Sequence, residues 1–188
     1  MIRPATLMPI PAKEGLAFEE LGGVKPNPRL ALAEEGVKKA VEMQADFILA
    51  VGGGSSIDTA KAVAHGAANP EEALWDIWTK KVPLTKSLPV GAVLTIPAAG
   101  SEMSDSAVLT NEAIGKKAGI NTPFNRCKFA IMNPDFFEKE FMIMAEEKAI
   151  NLQFCPEVEE LMVWGDKERL GTVVRNLQIG RASCRERV

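Results

Sequence analysis

The chain has 188 residues, 46% of them hydrophobic, and a formal net charge of −3 at pH 7. That length allows one ordinary domain, or one domain and a further piece, with enough apolar residues to bury a core. Slightly acidic, well-mixed charge argues against a general nucleic-acid or membrane-surface role, and no stretch approaches the roughly 18 consecutive apolar residues of a membrane span.

The start "MIRPATLMPIPAKEG" is broken by prolines and shows no leader pattern. "ELGGVKPNPRL" reads as a strand end and a loop that opens a helix. From Arg29 to about Gln44 the residues Leu30, Ala33, Val37, Ala40 and Val41 recur at helical spacing. Phe47 to Val51 is a short continuous apolar run, the pattern of a strand buried on both faces. Ser55 to about Ala68 reads as a helix with a narrow apolar stripe of Ile57, Ala60, Ala64 and Ala67. Asn69-Pro70 stops it, and "PEEALWDIWTKK" makes another short helix. Val90 to Ile96 is a second buried strand, followed by a Gly/Ser turn, and "SAVLTNE" and "CKFAIMNPD" read as two more strands. Strand, helix, strand at these lengths implies βαβ units. The expected fold is α/β, an incomplete parallel sheet with helices on both faces, followed by an appended α+β piece.

The turn "VGGGSS" carries the chemistry. A loop from strand to helix leaves the helix's first N–H groups without acceptors at the strand's carboxyl end, and the helix dipole adds partial positive charge there. Phosphate is the usual occupant of such a place. Side chains would hold phosphate oxygens away from the backbone, so Gly52, Gly53 and Gly54 leave it bare. Ser55 is placed to cap the helix and offer a hydroxyl. Asp58, one turn in, is placed to complement the dipole. The alternative for the glycines is a turn that merely needs positive φ; the pattern is neither GxGxxG nor a P-loop.

"GGVKPNPRL", "FILAVGGGSSIDTAKAVA", "VLTIPAAGSEMS" and "FAIMNPD", in this order and spacing, resemble the iron-containing alcohol dehydrogenases, the branch that includes butanol dehydrogenases. The resemblance covers about Gly15 to Phe136. It implies a Rossmann-like domain binding NAD or NADP, with Gly52, Gly53, Gly54 and Ser55 on the pyrophosphate, Asp58 beside them, and Thr95 at the nucleotide. Where the family often has Ala-Thr-Gly-Ser-Glu, this chain has Ala98-Ala99-Gly100-Ser101-Glu102, which removes one hydroxyl. Asn133-Pro134 stands for the family's Asp-Pro. Lys61 and Lys128 could approach an anion, with solvated surface lysine as the plainer reading.

The resemblance also implies iron or zinc, held in the complete enzyme by one aspartate and three histidines of a separate helical domain. The metal would polarise an alcohol or aldehyde oxygen, and the complete enzyme could form a homo-oligomer. This chain has one histidine, His65, expected as a surface or packed neutral residue. No catalytic and no metal-ligating residue is therefore assigned, and the polypeptide alone is expected to lack dehydrogenase activity and to bind nucleotide weakly. Cys127, Cys155 and Cys184 lie far apart, as reduced thiols of a cytoplasmic protein do.

Beyond Phe136 the character changes. "MAEEKAINLQFCPEVEELMVWGDKERLGTVVRNL" resembles the entry to the ATP-binding domain of sensor histidine kinases, through Gly165-Asp166, Arg169-Leu170 and Asn176-Leu177. Gly180 stands where that family's second asparagine binds magnesium, so ATP binding of the family's kind is not expected. "IGRASCRERV" is similar to the translation of a sequencing adapter. The expected organisation is a dinucleotide-binding part over 15–136, a kinase-like piece over 137–178 and a non-native tail over 179–188, joined in a chimeric gene. The competing readings are a signal-transduction fragment and a nucleotide-binding module without catalysis.

Overall fold

The computed structural model describes residues 17–133. The kinase-like segment, the tail, Cys155 and Cys184 lie outside the described residues. Three helices are α1 (Leu30–Glu42), α2 (Gly54–Ala68) and α3 (Leu74–Trp78). Five strands are β1 (Ile48–Gly52), β2 (Val90–Leu94), β3 (Ser106–Asn111), β4 (Lys116–Asn121) and β5 (Ala130–Met132). β1, β2 and β5 form a parallel sheet in the order β1-β2-β5, with Ile48 opposite Val90 and Ala92 opposite Ala130. This is the βαβ arrangement that the strand and helix lengths imply.

β3 and β4 form a separate antiparallel hairpin, paired from Ser106–Asn121 to Asn111–Lys116. The sequence reading found β3 in "SAVLTNE" as a strand, without assigning its partner, and did not find β4. "KKAGIN" has no alternation of apolar and polar residues, so nothing in it marks a strand; its partner does. The hairpin is tied to the start of α1: Thr110 donates its amide to the Pro28 carbonyl at 2.7 Å, and Arg29 meets Glu112 at 2.8 Å.

α2 is the centre of the molecule. Residues 57–66 are all buried, not a narrow stripe, because α2 is covered on every side. Ile57, Ala60 and Ala64 pack on Ala50, Ala92 and Leu94 of the parallel sheet. Ala62 belongs to a second cluster with Ala33, Trp78, Leu109 and Ile120, from α1, α3 and the hairpin. The helices approach closely: a Cβ added at Gly66 would stand 2.4 Å from the Val37 side chain, so Gly66 admits no side chain without a shift.

The expectation of a β1 buried on both faces is corrected here. Among the described residues the helices cover the face that carries Ala50 and Ala92. On the other face Phe47 and Phe129 stack at 5.7 Å, the Phe129 ring lies over Gly91, and Leu49 and Ile131 are 48% and 55% exposed. An unbroken apolar run signals two buried faces only when layers exist to bury both. No helix among the described residues is long and apolar enough to cross a membrane.

Candidate functional site: a bare helix N-terminus between two strand ends

β1 and β2 run side by side and end together, Gly52 opposite Leu94. The Thr95 amide then donates to the Gly52 carbonyl at 3.1 Å, which keeps the two following turns adjacent. Gly52 has φ +152°, and a Cβ there would meet the Ser56 hydroxyl at 2.4 Å. That position therefore excludes side chains twice, by conformation and by space. Gly53 is the N-cap of α2, and its carbonyl accepts from the amides of Ser56 and Ile57 at 3.0 and 3.1 Å. The amides of Gly54 and Ser55, earlier in that turn, have no intrahelical acceptor.

The second wall is the turn after β2. Ile96 lies beside Gly53, and Ala99 stands 3.0 Å from where a Cβ of Gly54 would be. Pro97 is buried, Ala98 and Ala99 are exposed, and Gly100 has φ +69°. Amides without an intrahelical acceptor and the positive end of a fifteen-residue helix thus lie together at the strand ends, an arrangement that favours an anion. Thr95 lies at its β2 end.

Two expectations change. Ser55 is not the cap: Gly53 holds that position with no side-chain capping bond, and the Ser55 carbonyl accepts from the Thr59 hydroxyl at 2.8 Å. Asp58, expected as a first-turn charge and a cofactor neighbour, is buried, and both its oxygens are engaged within the protein. One accepts from the Ser101 hydroxyl in a short contact, the other from the Val108 amide at 3.0 Å.

Lys61, expected at the surface, has no solvent exposure. Its Nζ donates to the carbonyls of Ser101, Ser104 and Ser106 at 2.7, 3.2 and 2.9 Å. Burial pushes its ammonium below the usual lysine range, and the Asp58 charge opposes that shift. The signal that could have found this pair is its spacing: Asp58 and Lys61 stand three apart, on one side of a helix otherwise built of small residues. Lys128 is exposed.

His65 is buried and doubly bonded. Nδ1 lies 2.8 Å from the Ser87 hydroxyl and Nε2 2.8 Å from Asn125 Oδ1. The Asn125 amide donates to the carbonyls of Asp105 and Ile120, so its oxygen takes the Nε2 proton. Burial lowers the His65 pKa to about 4, leaving the ring neutral. No group of three or more His, Cys, Asp or Glu among the described residues could hold a metal ion. Cys127 is half-buried, and burial raises its thiol pKa.

Comparison with known proteins gives the family. Residues 5–134 match the family described as iron-containing alcohol dehydrogenase. The chain belongs to that family. It is 45% identical over 123 residues to a probable NADH-dependent butanol dehydrogenase 2 of Bacillus subtilis, covering 65% of this chain and 31% of that protein. The solved NADH-dependent butanol dehydrogenase A of Thermotoga maritima matches with TM-score 0.64 and 41% identity, over 67% of this chain and 31% of that one. Sulfoacetaldehyde reductase of Bifidobacterium kashiwanohense, solved with NAD+, matches with TM-score 0.64 and 28% identity, over 71% and 35%. The chain thus spans about a third of the length of the relatives it matches.

Proposed function

We propose that residues 15–136 are the diphosphate-holding part of a cytoplasmic, NAD(P)-dependent dehydrogenase acting on alcohols or aldehydes. Gly52, Gly53, Gly54 and Ser55 would hold the diphosphate through backbone amides, and Thr95 would meet the nucleotide from the β2 end. Asp58 acts behind them, through Ser101. The bound nicotinamide, in the full-length enzymes, carries the hydride. The observation that carries this reading is the first turn of α2, where the Gly54 and Ser55 amides have no intrahelical acceptor, set beside Gly52, where φ and the Ser56 side chain exclude a Cβ. A metal, implied by the family name, finds no ligand group among the described residues.

The test is a titration of the full chain with NADH and NADPH by nicotinamide fluorescence, beside Gly54→Val. The valine places a branched side chain against Ala99. Saturable binding, weaker than that of a full-length butanol dehydrogenase, is expected in the wild type. It should be lost in the variant while circular dichroism stays the same, and neither protein should oxidise alcohols. Equal titration of the two proteins, or no saturation of the wild type, sinks the reading.

A further inference from the structure

The second wall of the cleft is held from below by charge. Lys61 lies two turns beyond Gly54 on the same helix, fully buried. Its Nζ has four oxygens in reach: the Ser101, Ser104 and Ser106 carbonyls at 2.7, 3.2 and 2.9 Å and the Ser101 hydroxyl at 3.3 Å. Asp58, one turn nearer the glycine turn, stands 4.0 Å from Nζ and accepts a hydrogen bond from the Ser101 hydroxyl. An ammonium brings three hydrogens and a charge into that cage of acceptors. An apolar side chain of equal length would leave the carbonyls without a donor in a dry place. The turn from Gly100 to Ser106 makes few bonds of its own, among them Met103 N to Gly100 O and Ser104 N to Ser101 O. Thr122, Asn125 and Arg126 hold the turn from its other side, through the Asp105 and Met103 carbonyls, while on the α2 side it is held by Lys61 and Asp58; Ala99, just before the turn, is the residue that faces Gly54.

We propose that Lys61 is a positioning residue for the dinucleotide, which clamps the 100–106 turn to α2 and so sets the spacing between the two walls of the diphosphate cleft without touching the ligand. The inference rests on the dinucleotide reading above and adds a residue to it. It makes Lys61 the built-in equivalent of a bound monovalent cation.

The experiment uses the full chain with two variants: Lys61→Met, which keeps length and removes the donors, and Lys61→Ala, which opens the cage. Hydrogen exchange is followed at the amides of Met103, Ser104 and Val108 and, for reference, along α1. NADH binding is followed by fluorescence. In Lys61→Met, exchange in the turn should rise roughly ten-fold or more while α1 stays unchanged, and NADH should bind roughly ten-fold more weakly. In Lys61→Ala, ammonium or methylamine should slow exchange in the turn and recover part of the NADH binding; tetramethylammonium, which has no N–H, should do neither. Wild-type NADH binding in Lys61→Met overturns the proposal. So does protection lost evenly over α1 and the sheet, which marks a general core residue, and so does a Lys61→Ala variant indifferent to ammonium. A wild-type chain that fails to bind NADH overturns the dinucleotide reading itself, a result distinct from intact binding by the variant.

Discussion

The two halves of α2 bury polar side chains in opposite ways. Toward the glycine turn lie Asp58 and Lys61, an acid and a base, whose partners are the Ser101 hydroxyl, the carbonyls of Ser101, Ser104 and Ser106, and the Val108 amide of β3. Toward the far end, His65 is neutral, and its partners are the side chains of Ser87 and Asn125. The difference follows from what each half must hold. An irregular turn presents several carbonyls at once, and a charged donor satisfies more of them than a neutral one. Ser87 and Asn125 bring matched single donors and acceptors, which a neutral ring completes without any desolvated charge. The half next to the cleft therefore depends on a charge pair, and the other half depends on the absence of charge.

Removing one partner of the charged half should have the largest effect. Asp58→Ala removes the carboxylate nearest the buried Lys61 ammonium, and leaves the Ser101 hydroxyl and Val108 amide without their acceptor. A loss of about 3–5 kcal/mol is expected, a large share of the ~5–15 kcal/mol of an ordinary domain. Urea unfolding followed by circular dichroism measures it. The double variant Asp58→Ala with Lys61→Met should lose less than the sum of the two singles. Strict additivity would show that the pair does not act as a unit.

The neutral half should fail with acid. The His65 pKa lies at about 4 in the folded chain, below its ordinary 6.5. Between those values the unfolded chain binds more protons, so stability falls as pH drops through 6.5 and the loss is complete near 4. A gap of that size corresponds to about 3 kcal/mol at ~1.4 kcal/mol per unit. His65→Gln should be less stable at pH 7 and should show a flatter stability profile between pH 6.5 and 4. Identical slopes in the two proteins would mean that His65 is not the acid-sensitive group of this half.

The glycine turn and the helix after it were legible because an apolar run, three glycines and a helical pattern meet within a few residues, and each has a physical meaning on its own. The short α3 and the strands β2 and β5 were legible for the same reason: Pro89, Asn69-Pro70 and Asn133 punctuate them. What failed were statements about surroundings. Lys61 reads as surface because lysine usually is; its burial depends on the 101–106 turn folding back over α2, a contact 40 residues away in sequence. β4 is a strand because β3 pairs with it, and Leu49 is exposed because no described layer covers its face. His65 reads from the sequence as either a surface or a packed neutral residue; the structure has the second, and Ser87 and Asn125 could not be named from the sequence.

The smallest expected effect sharpens the charged half from the cleft side. Ala99 stands where the family often has threonine, and it faces Gly54 at the helix N-terminus. Ala99→Thr returns a hydroxyl to the wall of the diphosphate cleft. Ala99 is exposed, so stability should change by less than about 0.5 kcal/mol. One added hydrogen bond to a phosphate oxygen is worth about 1 kcal/mol, or roughly five-fold tighter NADH binding by fluorescence titration. The same substitution made on a Lys61→Met background should gain almost nothing, because the wall that carries residue 99 is then no longer clamped to α2. A gain that survives there would show the two walls to be held together by something other than the Asp58–Lys61 pair; no gain in either background would place residue 99 outside the dinucleotide's reach.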